Sequence, residues 1–123
     1  MHLEAFDSLT RARQIPVVLA LYRKYAKDFP TILLGDFNSE PPVDGGKATA
    51  ILALLKEEGM ASACPPALFR KAGSLTYPAR GATGQIDYIF YNSAKIEAIS
   101  WEVITEVGGA SDHLPVLMEF KIK

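Results

Sequence analysis

The chain has 123 residues, with 13 Lys and Arg against 14 Asp and Glu, and is 49% hydrophobic with tyrosine counted. That length suits one domain able to bury a core without metals or cross-links. A formal charge of −1 and a pI near 6.1 exclude a global basic footprint for nucleic acid, though not a local phosphate site, and the single Cys64 excludes an intrachain disulfide framework.

In chain order, the opening from Met1 to Asp7 lacks the basic-then-apolar pattern of a secretory signal. Asp7 and Ser8 can cap a helix by accepting from its orphan amides. Ile15, Val18, Leu19, Tyr22 and Ala26 then fall on one helical face, with Arg23, Lys24, Lys27 and Asp28 mostly off it. Pro16, lacking a backbone donor, is expected to bend this helix or shift its start, and Pro30 closes it. The longest apolar run, over residues 15–22, is 8 residues against the roughly 20 that cross a bilayer, so no stable membrane insertion is expected.

Residues 31–34 read as a short buried strand ending at Gly35. A loop with Pro41, Pro42, Gly45 and Gly46 leads to a second helix over about 47–58, with Ala48, Ile51, Leu52 and Leu55 inward and Gly59 as its C-cap. Residues 64–73 read as loop, broken by Pro65 and Pro66. Strands are expected over 75–77, 86–91, about 95–105 and 115–122; in the last, Val116, Met118, Phe120 and Ile122 alternate with Leu117, Glu119 and Lys121. The order predicts a layered α/β fold with an antiparallel portion.

Three stretches put polar residues where propensity would not. In Gly35-Asp36-Phe37-Asn38, directly after a strand, Asp36 and Asn38 would point the same way if the backbone is extended, and strand carboxyl ends favour functional groups; an ordinary turn explains the same residues. In Ile86-Asp87-Tyr88, Asp87 stands in a strand whose two faces both read as buried, so it needs a partner, a histidine or a metal; backbone amides at a strand start are the plainer alternative. In Ser111-Asp112-His113, an imidazole suited to proton transfer near neutral pH follows a carboxylate suited to a hard cation; a solvated loop pair is the alternative. There is no activated serine, Walker-type loop or zinc spacing, and Cys64 reads as structural. The chemistry that fits is hydrolysis of a phosphate ester by a metal-oriented water.

These three motifs, in this order, resemble the endonuclease/exonuclease/phosphatase superfamily, with its deoxyribonuclease I-like fold. Thr76-Tyr77-Pro78 and Asn38-Ser39-Glu40-Pro41 add to the likeness, as does His2-Leu3-Glu4 ahead of a helix bearing Arg11, Arg13 and Gln14. The resemblance implies a mixed sheet with helices on one face, one half of a four-layer α/β/β/α sandwich. Residues 1–123 would be the carboxyl-terminal portion of the domain, because the family's amino-terminal strand with its Asn and the strand with its metal-binding Glu have no counterpart before His2. It implies catalytic roles for His2 at the scissile phosphate or leaving group and for Asp36 in positioning or deprotonating water. Asn38 would orient that water or the phosphate, Asp87 would hold His113, and His113 would serve as base or stabilise the transition state. Asp36 and Asp112 would hold Mg²⁺ or Mn²⁺, with affinity reduced for want of the Glu. The implied substrate is a phosphate ester: nucleic acid, lipid headgroup or small phosphate.

A chain supplying one sheet of a sandwich leaves an apolar face uncovered, which accounts for a mean hydropathy of +0.10 and predicts a homodimer or a missing amino-terminal half as partner. The leading expectation is a metal-dependent phosphoesterase, probed against a truncated half-domain that self-associates without activity and a small α/β binding domain whose acidic motifs are turns. Arg70, Lys71 and Arg80 stand in loops where phosphate contact or plain solvation fits equally. Localisation is left open, with the cytoplasm as default.

Overall fold

The computed structural model describes residues 1–42, 50–106 and 109–123. Helix α1 spans Ser8–Tyr25 and α2 spans Ala50–Leu55. The strands are β1, Ile32–Asp36; β2, Met60–Ser62; β3, Asp87–Asn92; β4, Ile96–Val103; and β5, Val116–Ile122. A 3-10 turn, Pro66–Leu68, lies within the expected loop.

Helix α1 begins where the capping residues predict. Asp7 takes the N-cap position and its carboxylate accepts from the amides of Leu9 and Thr10, which satisfies donors that no helical carbonyl can reach. Ile15, Leu19 and Tyr22 are buried and Val18 and Ala26 half-buried, as the spacing requires. Pro16 neither shifts the start nor ends the helix, which runs through it to Tyr25. Its flank is solvent-exposed, where water can serve the freed carbonyl.

Strand β3 lies in the centre of a three-stranded sheet of order β1-β3-β2, antiparallel on both sides, while β4 and β5 form a separate antiparallel pair. One parallel bridge, His2 to Asp36, brings the amino-terminal residues onto the free edge of β1. The sheet is therefore mixed, as the fold reading predicts, and both helices lie on one of its faces. The short strand β2 escapes sequence reading because three residues carry no measurable period. The expected strand over 75–77 reduces to a single bridge, Tyr77 to Gly84.

Tyr88, Phe90 and Asn92 of β3 point to the helices and are 2%, 0% and 1% exposed. Tyr88 and Phe90 meet Leu3, Ile15, Leu19, Tyr22, Phe37, Ile51, Leu54 and Met60 in one core, while Asn92 Nδ2 donates to the carbonyls of Lys27 and Phe29. Leu54 of α2 is fully buried there, whereas Leu52 and Leu55 are only half-buried. The short α2 turns its seam toward 51 and 54, a correction to the predicted inward set. The positions of Gly45, Gly46 and Ala48, the predicted helix start, and Gly108 lie outside the described residues. Helix α2 ends at Leu55 and not at 58, so Gly59 is not its C-cap; with φ +77° it lies in the turn closed by Met60 N–H donating to the Glu57 carbonyl, which leads into β2.

The opposite sheet face carries Ile32, Leu34 and Asp36 of β1 beside Tyr91, Ile89 and Asp87 of β3 by register. Leu34 is 54% exposed, and no helix covers this side among the described residues. The reading that both faces around Asp87 are buried is thus corrected: the face it shares with Ile89 and Tyr91 is half-exposed. The observed layering is one helix layer on one sheet layer, half of a four-layer sandwich.

Candidate active site

Asp36 ends β1, and Asp87, its register partner, begins the antiparallel β3. Antiparallel pairing thus sets two carboxylates side by side on the half-exposed face. His113 arrives from the loop before β5 with its Nδ1 at 2.9 Å from Asp87 Oδ2 and its Nε2 at 3.9 Å from Asp36 Oδ2. An ionised carboxylate only accepts, so Nδ1–H donates to Asp87 and Nε2 is directed toward Asp36. His2 comes from the opposite side, Nε2 at 3.4 Å from the same Asp36 oxygen. The side chains of Asp36 and Asp87 are each 17% exposed, so the cluster is shielded but open to a ligand.

His2 reaches this position because the amino terminus is bonded along β1. Leu3 N–H donates to the Asp36 carbonyl, Asp36 N–H to the Met1 carbonyl, and the Met1 ammonium to the Leu34 carbonyl. Gly35 permits the approach: with φ +142°, a Cβ there would lie 1.9 Å from the Met1 carbonyl oxygen. Any side chain would push His2 away from Asp36.

Asn38 departs from the extended backbone that would align it with Asp36. Its φ is +45°, a conformation asparagine tolerates. Its amide N–H donates to Asp36 Oδ1 at 2.7 Å and its side-chain Nδ2 to the Leu3 carbonyl at 2.8 Å. Asn38 therefore fixes one Asp36 oxygen and the His2 segment together. Asp112 is exposed and stands outside the group formed by Asp36, Asp87 and His113, whose ligand atoms lie within 4.8 Å of one another.

Two neighbours went unassigned in the sequence. The Tyr77 ring packs on the His113 imidazole, centroids 4.7 Å apart, a contact with no spacing signal because the two are 36 positions apart in the chain. Glu40 sits 3.6 Å from Arg70 Nε and accepts from the Gln85 amide, so Arg70 has an ion-pair partner. Cys64 is buried and burial pushes its thiol up to about 11, which keeps it protonated and unreactive near neutral pH.

Burial alone pulls the His113 imidazolium down, but the hydrogen bond to Asp87 and the charges of Asp87, Asp36 and Asp112 outweigh it, so its pKa is held above the ordinary 6.5. A raised folded value means this pairing adds stability fully below the unfolded pKa and loses it as pH rises through the folded one. Asp87→Asn is expected to drop the His113 titration toward the ordinary value and to flatten the pH dependence of melting above pH 6.5. Ring-proton NMR titration of the metal-free chain, with only two histidines to resolve, checks it; an unmoved midpoint would contradict the assigned cause.

The donor set fits a divalent cation. Two carboxylates supply hard oxygens within 4.8 Å, spacing that one ion can bridge, and the Asp36 oxygen not held by the Asn38 amide is the one facing both histidines.

Among solved structures, the chain is similar to an endonuclease/exonuclease/phosphatase from Bacteroides vulgatus (21% identity, TM-score 0.77, covering 99% of this chain and 48% of that one). It is also similar to a mannosyl-6-phosphatase from Bacteroides thetaiotaomicron (21%, TM-score 0.72, 98% and 49%). The human Nocturnin catalytic domain, solved with a bound sulfate anion, follows (19%, TM-score 0.66, 99% and 45%). The chain thus spans about half the length of the structures it matches, and a search of the curated proteins found no match. The model of the Endonuclease/Exonuclease/phosphatase family matches residues 4–113, a stretch that contains Asp36, Asn38, Asp87 and His113. This chain belongs to that family.

Proposed function

We propose that this chain is the carboxyl-terminal portion of a phosphoesterase domain and that its cluster hydrolyses phosphate esters, of the phosphodiester or nuclease type. The convergence of Asp36, Asp87 and His113 from two strand ends and a loop carries the reading. In hydrolysis a water oxygen forms a bond to phosphorus, the ester oxygen leaves, and the water's proton must be taken up. Asp36 Oδ2 and the free Nε2 of His113 flank the position for that proton. Asp87 holds the imidazole in the tautomer that leaves Nε2 as acceptor, the task of a carboxylate behind a catalytic histidine. His2, with its side chain 71% exposed, is placed to contact the phosphate or the departing oxygen, and Asn38 to orient Asp36. Mg²⁺ or Mn²⁺ would be held by Asp36 with Asp87, the expected ligand Asp112 standing outside that group, and would neutralise phosphate charge when bound.

The substrate class spans nucleic acid, lipid headgroups and small phosphates, and the likeness to a mannosyl-6-phosphatase adds sugar phosphates to those worth assaying. The test is release of product from an aryl phosphodiester and a sugar phosphate with Mg²⁺ or Mn²⁺, and its loss with EDTA. Turnover insensitive to chelator would refute the metal-dependent reading.

A second reading rests on the open sheet face with Leu34 at 54% exposure. Here the chain is a half-domain without activity of its own, and a second copy or an amino-terminal half covers that face. Light scattering is expected to report self-association; a monomer with an ordinary melting transition argues against it.

A further inference from the structure

Thr76 stands in a motif that adds to the family likeness, but no role in the cluster has been assigned to it. It is 0% exposed and makes polar contacts in three directions. Its Oγ1 accepts from the amides of Ile86 at 3.2 Å and Asp87 at 3.3 Å. Its carbonyl accepts from Leu114 N–H at 2.8 Å, and its own N–H donates to the Gly84 carbonyl at 2.8 Å. One side therefore grips the backbone that carries Asp87 and another grips the residue after His113.

Asp87 and His113 have no short covalent path between them, being 26 residues apart. Their 2.9 Å contact depends on two separate segments, the start of β3 and the loop before β5, holding a common register. Thr76 bonds to both. A further bond from Ala79 N–H to the Asp112 carbonyl at 2.7 Å extends the seam between the two segments, and Tyr77, the next residue, lays its ring on His113. Residues on either side of Thr76 cannot substitute for it: Leu75 has no polar side chain, and the Tyr77 ring is already committed to the imidazole.

We propose that Thr76 is the positioning residue of the Asp87–His113 pair, holding the two backbones so that the carboxylate meets Nδ1. The kinetic part of this inference rests on the phosphoesterase reading; the geometric part does not. A hydroxyl is required because a methyl in its place would leave two amides facing an apolar group in a buried position. The methyl of threonine is secondary.

The test compares Thr76→Val, which keeps the shape and removes the acceptor, with Thr76→Ser, which keeps the acceptor. In the unmodified chain the His113 Nδ1–H, hydrogen-bonded to Asp87, is expected to give a far-downfield proton resonance, whereas the exposed His2 ring exchanges too fast to be seen. Thr76→Val is expected to lose that resonance while the chain stays folded by circular dichroism, and Thr76→Ser to retain it. With substrate, Thr76→Val should lower kcat on the order of 10–100-fold with KM little changed, as small misplacements of reacting groups do, and Thr76→Ser should restore most of it. A folded Thr76→Val with the resonance intact overturns the proposal, and so does a Thr76→Ser that loses it equally. Should Thr76→Val not fold, hydrogen exchange on the unmodified chain decides: the amides of Asp87 and Leu114 and the Nδ1–H are expected to open as one unit, and unrelated opening rates overturn the proposal. If the chain hydrolyses no phosphate ester, the resonance and exchange results still stand, so failure of the function and failure of the positioning role are read separately.

Discussion

Replacing His113 by Ala is expected to lower kcat for phosphate-ester hydrolysis about 10²–10⁴-fold, the range that a positioned acid or base supplies. Asp36→Ala should cost a similar factor, because Asp36 Oδ2 lies within 3.9 Å of the His113 Nε2 and 3.4 Å of the His2 Nε2. The losses should not add. Groups acting on one proton fail together, so the double variant is expected to fall little below the weaker single one. His2→Ala should be milder, since that ring is largely exposed and touches the cluster through Asp36 alone among the described residues. The decisive measurement is kcat and KM for each variant on the substrate that the unmodified chain turns over best. Activity that survives both Asp36→Ala and His113→Ala would remove the cluster from the reaction altogether.

Phe37→Ala should be the most destabilising single change near the site. Phe37 is 0% exposed, with its ring edge-on to Tyr88 at 5.6 Å and to Phe90 at 5.4 Å. Truncating such a ring costs about 3–5 kcal/mol through lost burial and the cavity left behind. That is a large share of the roughly 5–15 kcal/mol by which a domain is stable. The position also couples stability to function, because Phe37 lies between Asp36 and Asn38, and its burial anchors the turn from which both side chains project. Urea unfolding should show the midpoint falling with an unchanged slope, whereas Val17→Ala, on the exposed side of α1 (59%), should stay within about 0.5 kcal/mol. A small shift for Phe37→Ala would mean that the core closes without it.

The helix α1 was legible because capping and a 3.6-residue period are local properties; Asp7, Ile15, Leu19 and Tyr22 state them within one stretch of chain. Strands β1, β3, β4 and β5 were legible for the same reason, each having enough residues to show a pattern. Strand β2, the burial of Leu54 and the left-handed turn at Asn38 were not, because three residues carry no period and a turn conformation depends on what the side chains meet. The single bridge at Tyr77 and Gly84 shows the same limit from the other side: residues 75–77 have strand composition but no neighbour to pair with along their length.

The candidate site divides likewise. Its chemistry was readable from residue type: a carboxylate after a strand, a carboxylate within one that demanded a partner, and an imidazole beside a third carboxylate. By itself the sequence determined which groups are available, and it asked for a partner for Asp87 on the expectation that both faces of its strand are buried, since a buried unpaired carboxylate is costly. The family resemblance implied that the partner is His113; only the tertiary structure decided that the two meet at 2.9 Å, that Asp36 faces Asp87 through antiparallel register, that His2 joins them by a parallel bridge past Gly35, and that Asp112 stands outside the group. Those facts depend on contacts between residues 26 to 51 positions apart in sequence. Side-chain chemistry is a property of each residue, but distance between residues is created by the packing of the whole chain.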